Sequence, residues 1–336
     1  MSIVNLKIKG MGHYLPERIV TSSELDQKFG HKPGTFEKTS GVVSRRYAAD
    51  DETNSKMGAK AAIEAIERAG IDLEDIDLIL GACGTQEQAI PCTAAMVQRE
   101  LGIENSGIPC FDINSTCLSF VTALNVAGKF VASGQHKNVL IVSADIASVG
   151  LNYRHLESAS LFGDGAAAAI VGPTAEGEKS GLLSYHMETY SSGWDTCSIA
   201  GGGSRMHPSK MDWQLEKDDE RFLFKMDGPK VFRLAAKYIG DFVGQLMQTT
   251  GYTLSDIDLV IPHQASESGM ELIRRRLDVP VEKFMKINQE HGNMIAASIP
   301  LALYYATTQN RLTRGQTVAL IGTSAGFSMG GVVLRY

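Results

Sequence analysis

The sequence predicts an α/β protein assembled from two similar halves, and three observations carry that reading. Ala69–Ile79 aligns without gaps on Thr250–Val260, with Gly70/Gly251, Leu73/Leu254, Asp75/Asp256, Ile76/Ile257, Asp77/Asp258 and Leu78/Leu259 identical. Asn138–Ser143 and Thr317–Gly322 are short, continuous apolar runs, the pattern of parallel strands covered on both faces. A Cys, a His and an Asn each stand where an apolar strand ends or a helix begins. In open α/β sheets that edge is where ligands bind.

The elements follow in order. With 336 residues the chain is long for one core and accommodates two fused units, placed at 1–173 and 174–336. Met1–Lys7 alternates like a first strand and lacks the apolar stretch of a signal peptide. Ser55–Ala69 and Lys230–Thr249 carry apolar residues at helical spacing, and a C-cap Gly follows each. Cys110–Phe120 runs from a strand-like stretch through small polar residues into a helix-compatible stretch, Leu118–Val131. Gly193–Glu220 is polar and Gly-rich, a long loop of the kind that forms lids or tunnel walls. Its Gly201-Gly202-Gly203 is no phosphate loop, since it does not follow a strand and open a helix. Leu259–Ser266 is an apolar strand ending in His263, and His291–Ser298 is a polar turn opening a helix.

Composition narrows the function. A hydrophobic content of 43 % and charged content of 21 % are those of a globular protein. A net charge of -6 gives no bulk attraction to nucleic acid or anionic membrane. There is no run of about 20 apolar residues to span a bilayer. Five cysteines without a Cys-x-x-Cys pair argue against a disulfide framework or structural zinc, and fit a reducing cytoplasm.

At the start of a helix, unpaired N–H groups and the macrodipole favour a thiolate, which makes Cys117 a candidate nucleophile. Singly, Cys117 could be a buried apolar residue and Asn293 a helix cap. Together with His263 they form a set suited to acyl chemistry.

These segments resemble the Cys-His-Asn triad of the β-ketoacyl-(acyl carrier protein) synthase III family, within the thiolase superfamily. Ser40-Gly41-Val42 with Arg45-Arg46, Phe162–Ala166 and Ala325–Gly330 resemble further family signatures, so the likeness spans nearly the whole chain. It implies a duplicated thiolase-like fold, five-layered αβαβα with two mixed sheets. It also implies a cytoplasmic homodimer with Ile90 near the partner's tunnel. The implied reaction is decarboxylative Claisen condensation of an acyl thioester with malonyl-acyl carrier protein, in fatty acid or related secondary-metabolite synthesis. Cys117 would carry the acyl group and His263 would assist its deprotonation. His263 and Asn293 would donate to the enolate oxygen, and the backbone N–H groups of Cys117 and Ala325 to the tetrahedral oxyanion. Phe232 would lie over the decarboxylation site. Arg233, Arg275 and Arg276 would meet the acidic carrier protein or coenzyme A. No cofactor or metal is implied; acyl-coenzyme A and malonyl-acyl carrier protein are substrates. Asp164 and His291 read as structural supports.

Three departures qualify the likeness. Ala325 stands where the family usually has Gly, which keeps the backbone donor if φ is negative and strains the site if φ is positive. Ser266-Glu267-Ser268 stands where the family carries an Asn and an Arg. Thr35 and Thr39 replace the Trp and Arg that grip the adenine of coenzyme A. The last two point to a longer-chain or secondary-metabolite substrate. The rival readings are head-to-head condensation of two acyl-coenzyme A thioesters, as in olefin-pathway enzymes, and acyl transfer or hydrolysis by the same Cys. Head-to-head enzymes carry a Glu before the Pro, where this chain has Ile90, the nearest acid being Glu87. Degradative thiolase needs a late second Cys, and the last here is Cys197.

Overall fold

The computed structural model describes residues 3–207, 209 and 219–336. Met1 and Ser2 of the expected first strand, and residues 208 and 210–218 of the expected long loop, lie outside the described residues. The first half runs β1 (Lys7–Tyr14), β2 (Arg18–Thr21), α1 (Ser22–Phe29), α2 (Thr35–Ser40), β3 (Ser44–Tyr47), α3 (Asn54–Ala69), β4 (Leu78–Gly81) and α4 (Thr93–Glu100). It continues with β5 (Cys110–Asp112), α5 (Ser119–Ala132), β6 (Val139–Asp145), α6 (Leu156–Ala159) and β7 (Gly165–Gly172). The second half runs β8 (Gly181–Thr189), β9 (Cys197–Ser198), β10 (Lys225–Met226), α7 (Gly228–Met247), β11 (Leu259–Pro262) and α8 (Glu267–Arg276). It ends with α9 (Asn288–His291), α10 (Ser298–Thr308), β12 (Thr317–Ser324) and β13 (Ser328–Arg335).

Two mixed sheets repeat one pattern. The first has the order β1-β7-β6-β4-β5, and the second β11-β12-β13-β8. β4 pairs in parallel with β6, as β11 does with β12; β6 pairs antiparallel with β7, as β12 does with β13. In the repeated loops, Asp72 with Asp75 and Thr253 with Asp256 form matching capping boxes. Each box satisfies N–H groups that a short helical turn leaves unpaired.

Side-chain alternation stacks the layers. On β6, Val139 and Ile141 face inward onto α5 and α10, while Leu140 and Val142 face outward onto α3 and α4. On β12, Val318 and Leu320 meet the same central helices, while Ala319 and Ile321 meet α7 and α8. The result is the expected five-layered thiolase-like αβαβα architecture.

The first strand differs from the sequence reading. It starts at Lys7, and Val4 instead bridges to Leu182 of the second half. Gly10 and Gly12, poor strand formers, masked it. They are there because α3 presses on this strand: a Cβ on either would collide with backbone atoms of Ala61, Ala65 or Ala69.

Candidate active site

Cys117 lies in a 3-10 turn, Thr116–Leu118, that feeds α5, and not in the first turn of α5 itself. His263 follows β11 and is 5 % exposed; Asn293 follows α9 and is 6 % exposed. The structure joins the segments through backbone. The His263 N–H donates to the Ile321 carbonyl of β12 at 2.8 Å. Ser324, at the end of β12, donates its hydroxyl to the Ser115 carbonyl at 2.7 Å. The N–H groups of Ala325 and of Cys117 itself both bear on the Cys117 sulfur. Asn293 is pinned by an N–H bond to the Leu161 carbonyl at 2.8 Å and by its own carbonyl accepting from Gly163 at 3.1 Å.

Glycines allow these approaches. A Cβ on Gly322 would lie 2.8 Å from His263 Cβ and 3.1 Å from Leu118 Cδ2. Gly330, its register partner across the β12–β13 ladder, faces the same Leu118. A Cβ on Gly84 would strike the Ile295 side chain and lie 3.4 Å from the Thr116 carbonyl carbon.

Backbone strain gathers at the site. Among the described residues five non-glycines have positive φ, and three flank the site: Thr116 (52°), Ile295 (49°) and Phe327 (50°). For β-branched Thr and Ile this region is costly, about 1–3 kcal/mol each, and persists only where surroundings hold it. Ala325 is not among them, so its donor survives the exchange from Gly without that strain.

Burial dominates the electrostatics of the site. Burial alone pushes the His263 imidazole down to about 4, leaving it neutral at pH 7. Its Nδ1 has no partner among the described residues. Asn293 Oδ1 accepts from the Ile295 N–H at 2.8 Å and the Ser298 hydroxyl at 3.4 Å. That fixes the amide orientation and leaves Nδ2 as a donor.

The thiol corrects the sequence expectation. Cys117 retains partial access as a residue, but burial of its sulfur, then the nearby Cys197 and Asp145, push it up to about 12. The two backbone donors pull it down only in part. Placed inside the 3-10 turn and desolvated, the sulfur gains too little from the helix end to become a standing thiolate.

A cavity of about 690 Å³ adjoins these loops, lined by Thr85, Asn114, Phe162, Ile295, Ile199 and Phe222 among others. Gly201, Gly202 and Gly203 also line it. Ile90 is 85 % exposed. Arg233, Arg275 and Arg276 are exposed on α7 and α8, with Arg275 paired to Glu271 at 2.6 Å. Phe232 is 43 % exposed near the start of α7. Phe327, two residues beyond Ala325, is the buried aromatic of that loop, packed against Tyr190 and Tyr238. Sequence reasoning missed it, although it lies within the Gly-rich signature. Asp164 is structural, accepting from Ala48 and Ser148. His291 stacks on Tyr305 beside the Asn293 loop.

Comparison with known proteins agrees. The 3-oxoacyl-[acyl-carrier-protein] synthase III family matches residues 111–191, its C-terminal region matches 247–336, and the thiolase N-terminal domain matches 38–148. The chain is 36 % identical to a β-ketoacyl-[acyl-carrier-protein] synthase III of Syntrophomonas wolfei, over 99 % of this chain and 98 % of that one. The crystal structure of 3-oxoacyl-[acyl-carrier-protein] synthase III from Aquifex aeolicus superimposes with a TM-score of 0.86 at 30 % identity, covering 98 % of this chain and 100 % of that one. OleA from Xanthomonas campestris shares the fold, with a TM-score of 0.85 at 20 % identity over 99 % of both chains. The chain belongs to the 3-oxoacyl-[acyl-carrier-protein] synthase III family.

Proposed function

We propose that this chain is an acyltransferase that condenses an acyl thioester with malonyl-acyl carrier protein, with loss of carbon dioxide, through an acyl-Cys117 intermediate. What supports the reading is membership of the family together with a Cys117 sulfur that has two backbone donors and a buried, neutral His263. His263 takes the thiol proton as sulfur attacks the thioester carbonyl. The N–H groups of Cys117 and Ala325 hold the resulting oxyanion, which collapses to expel the carrier thiol. The malonyl thioester then loses carbon dioxide, and the enolate oxygen accepts from His263 and Asn293 Nδ2. The enolate carbon attacks the acyl-Cys117 carbonyl, and collapse releases the 3-oxoacyl thioester and the Cys117 thiolate, which takes a proton from solvent. A neutral imidazole suits both duties, because it can accept one proton and donate another.

The finer assignments are part of the same proposal. Residues 1–173 supply the nucleophile and 174–336 the His and Asn. Arg233, Arg275 and Arg276 offer cations to a carrier protein or coenzyme A. The working form is a cytoplasmic homodimer, and no cofactor takes part. Among the described residues no helix is long and apolar enough to cross a membrane, and no group of His, Cys, Asp and Glu could hold a metal.

The test separates the half-reactions. Incubation with acyl-coenzyme A or acyl carrier protein, read by intact mass, should add one acyl group, and Cys117→Ala should abolish it. Asn293→Ala should keep acylation and lose malonyl decarboxylation by about 10²–10³, the usual cost of one lost oxyanion donor. His263→Ala, which also removes the base for the Cys117 thiol, should keep only some acylation and lose decarboxylation as well. An adduct on Cys83, Cys92, Cys110 or Cys197, or equal loss of both half-reactions in Asn293→Ala, would overturn the assignment.

A further inference from the structure

Asp145 ends β6, is 0 % exposed, and takes no part in the chemistry above. Its two carboxylate oxygens serve two different loops. Oδ1 accepts from the Gly84 N–H at 2.8 Å, the Thr85 N–H at 2.6 Å and the Thr85 hydroxyl at 2.9 Å. Oδ2 accepts from the Ala296 N–H at 3.0 Å and the Ala297 N–H at 3.2 Å. A Cβ on Gly84 would lie 3.4 Å from the carbonyl carbon of Thr116, the residue before Cys117. Ala296 and Ala297 follow Asn293 and strained Ile295 into α10.

We propose that Asp145 is a positioning residue whose carboxylate clamps the Asn293 loop to the Gly84–Thr85 loop, which packs beside the nucleophile loop, setting where the Asn293 amide points. The inference rests on the function proposed above. Five hydrogen bonds converge on one buried carboxylate, and charge-assisted bonds are the strong ones. Without them the Ile295 conformation, unfavourable on its own, would have little to hold it. The donors pull the carboxyl down, but burial outweighs them and raises it to about 6, still mostly ionised at neutral pH.

The clamp is selective between half-reactions. The acylation unit has ties of its own, the Ser324–Ser115 bond and the Ala325 donor. His263 is fixed separately to Ile321 on β12. Of the site groups, the Asn293 loop is the one hydrogen-bonded to Asp145; the Cys117 sulfur feels only its charge.

Asp145→Asn tests this. An amide has one acceptor, and turning it toward Gly84 and Thr85 satisfies three donors, which leaves an NH₂ facing Ala296 and Ala297. Malonyl decarboxylation per folded protein should fall by about 10²-fold, the cost of misplacing a reacting group by about 1 Å, and its ratio to Cys117 acylation should fall with it. A ratio that falls only because acylation rises would report the charge lost beside the thiol and would count against the clamp. Asp145→Glu, which restores a carboxylate, should recover part of the ratio. A purely structural role would lower both rates with the folded fraction, measured by near-ultraviolet circular dichroism, and leave the ratio unmoved. If Asp145→Asn does not fold, Thr85→Val, which removes one donor to the carboxylate, is read by the same ratio. A ratio within about threefold of wild type in the folded variant overturns the clamp. Wild-type protein that fails either half-reaction instead overturns the proposed function, and this inference with it.

Discussion

Alkylation of Cys117 by iodoacetamide should climb about tenfold per pH unit from pH 7 to 10, without a plateau. The perturbation is pH alone. Burial, Cys197 and Asp145 together push the thiol up to about 12. At pH 7.5 such a thiol is about 10⁻⁴–10⁻⁵ ionised, against about 10 % for an ordinary cysteine near 8.5. Thiolate nucleophilicity rises with basicity at a Brønsted slope of about 0.4–0.5, which returns roughly 1.5 of the 3.5 decades lost. The net expectation is a rate about 10²-fold below that of an exposed cysteine. The assay is peptide-resolved mass spectrometry of timed, acid-quenched samples on folded protein. A plateau at or below pH 8.5 would refute the reasoning. It would mean a thiolate stabilised by the helix end or by a charged imidazole, and His263 would no longer be needed as base.

Three further outcomes follow from the same geometry. Gly322→Ala places a methyl 2.8 Å from His263 Cβ, so we expect overpacking of about 1–3 kcal/mol in urea melts and a slower decarboxylation step. His263 is neutral in the fold down to about 4, while its unfolded imidazole protonates below 6.5. Its contribution is therefore intact above pH 6.5 and is lost as pH falls toward 4, by up to about 3 kcal/mol. The slope of unfolding free energy over that window should be shallower in His263→Gln. Exposed Ile90 should be covered by a second copy, so sedimentation at micromolar concentration should give a dimer, and a strictly monomeric species would count against it.

Much of the fold was legible because its signals are local and periodic. α3 and α7 announce themselves through helix-spaced apolar residues, and α3 begins within a residue of expectation. α7 stops at Met247, two residues short, because a turn and not the helix leads to left-handed Gly251. His263 and Asn293 could be placed because each stands beside a strand end or turn that pattern alone reveals. Asp145 could not, since an acid after an apolar run looks like any strand end until donors from two distant loops converge on it. Thr116, Ile295 and Phe327 were equally hidden, because nothing in those residue types advertises positive φ. The altitude of the Cys117 thiol escaped for the opposite reason. The helix-end rule was sound, but it is a contest with desolvation, and only three-dimensional enclosure says which wins.

The central helices have a consequence for how the chain holds together as one molecule. α5 belongs to the first half and α10 to the second, yet both lie within one apolar cluster drawn from both sheets. A fragment ending at residue 173 would leave Phe120, Leu124 and Val131 with one neighbouring sheet in place of two, and the complementary fragment would strand Ile299 and Leu303 in the same way. The midpoint of this chain is thus a boundary in the sequence pattern and not in cooperativity. Bringing the two halves together encloses a surface that neither could cover alone.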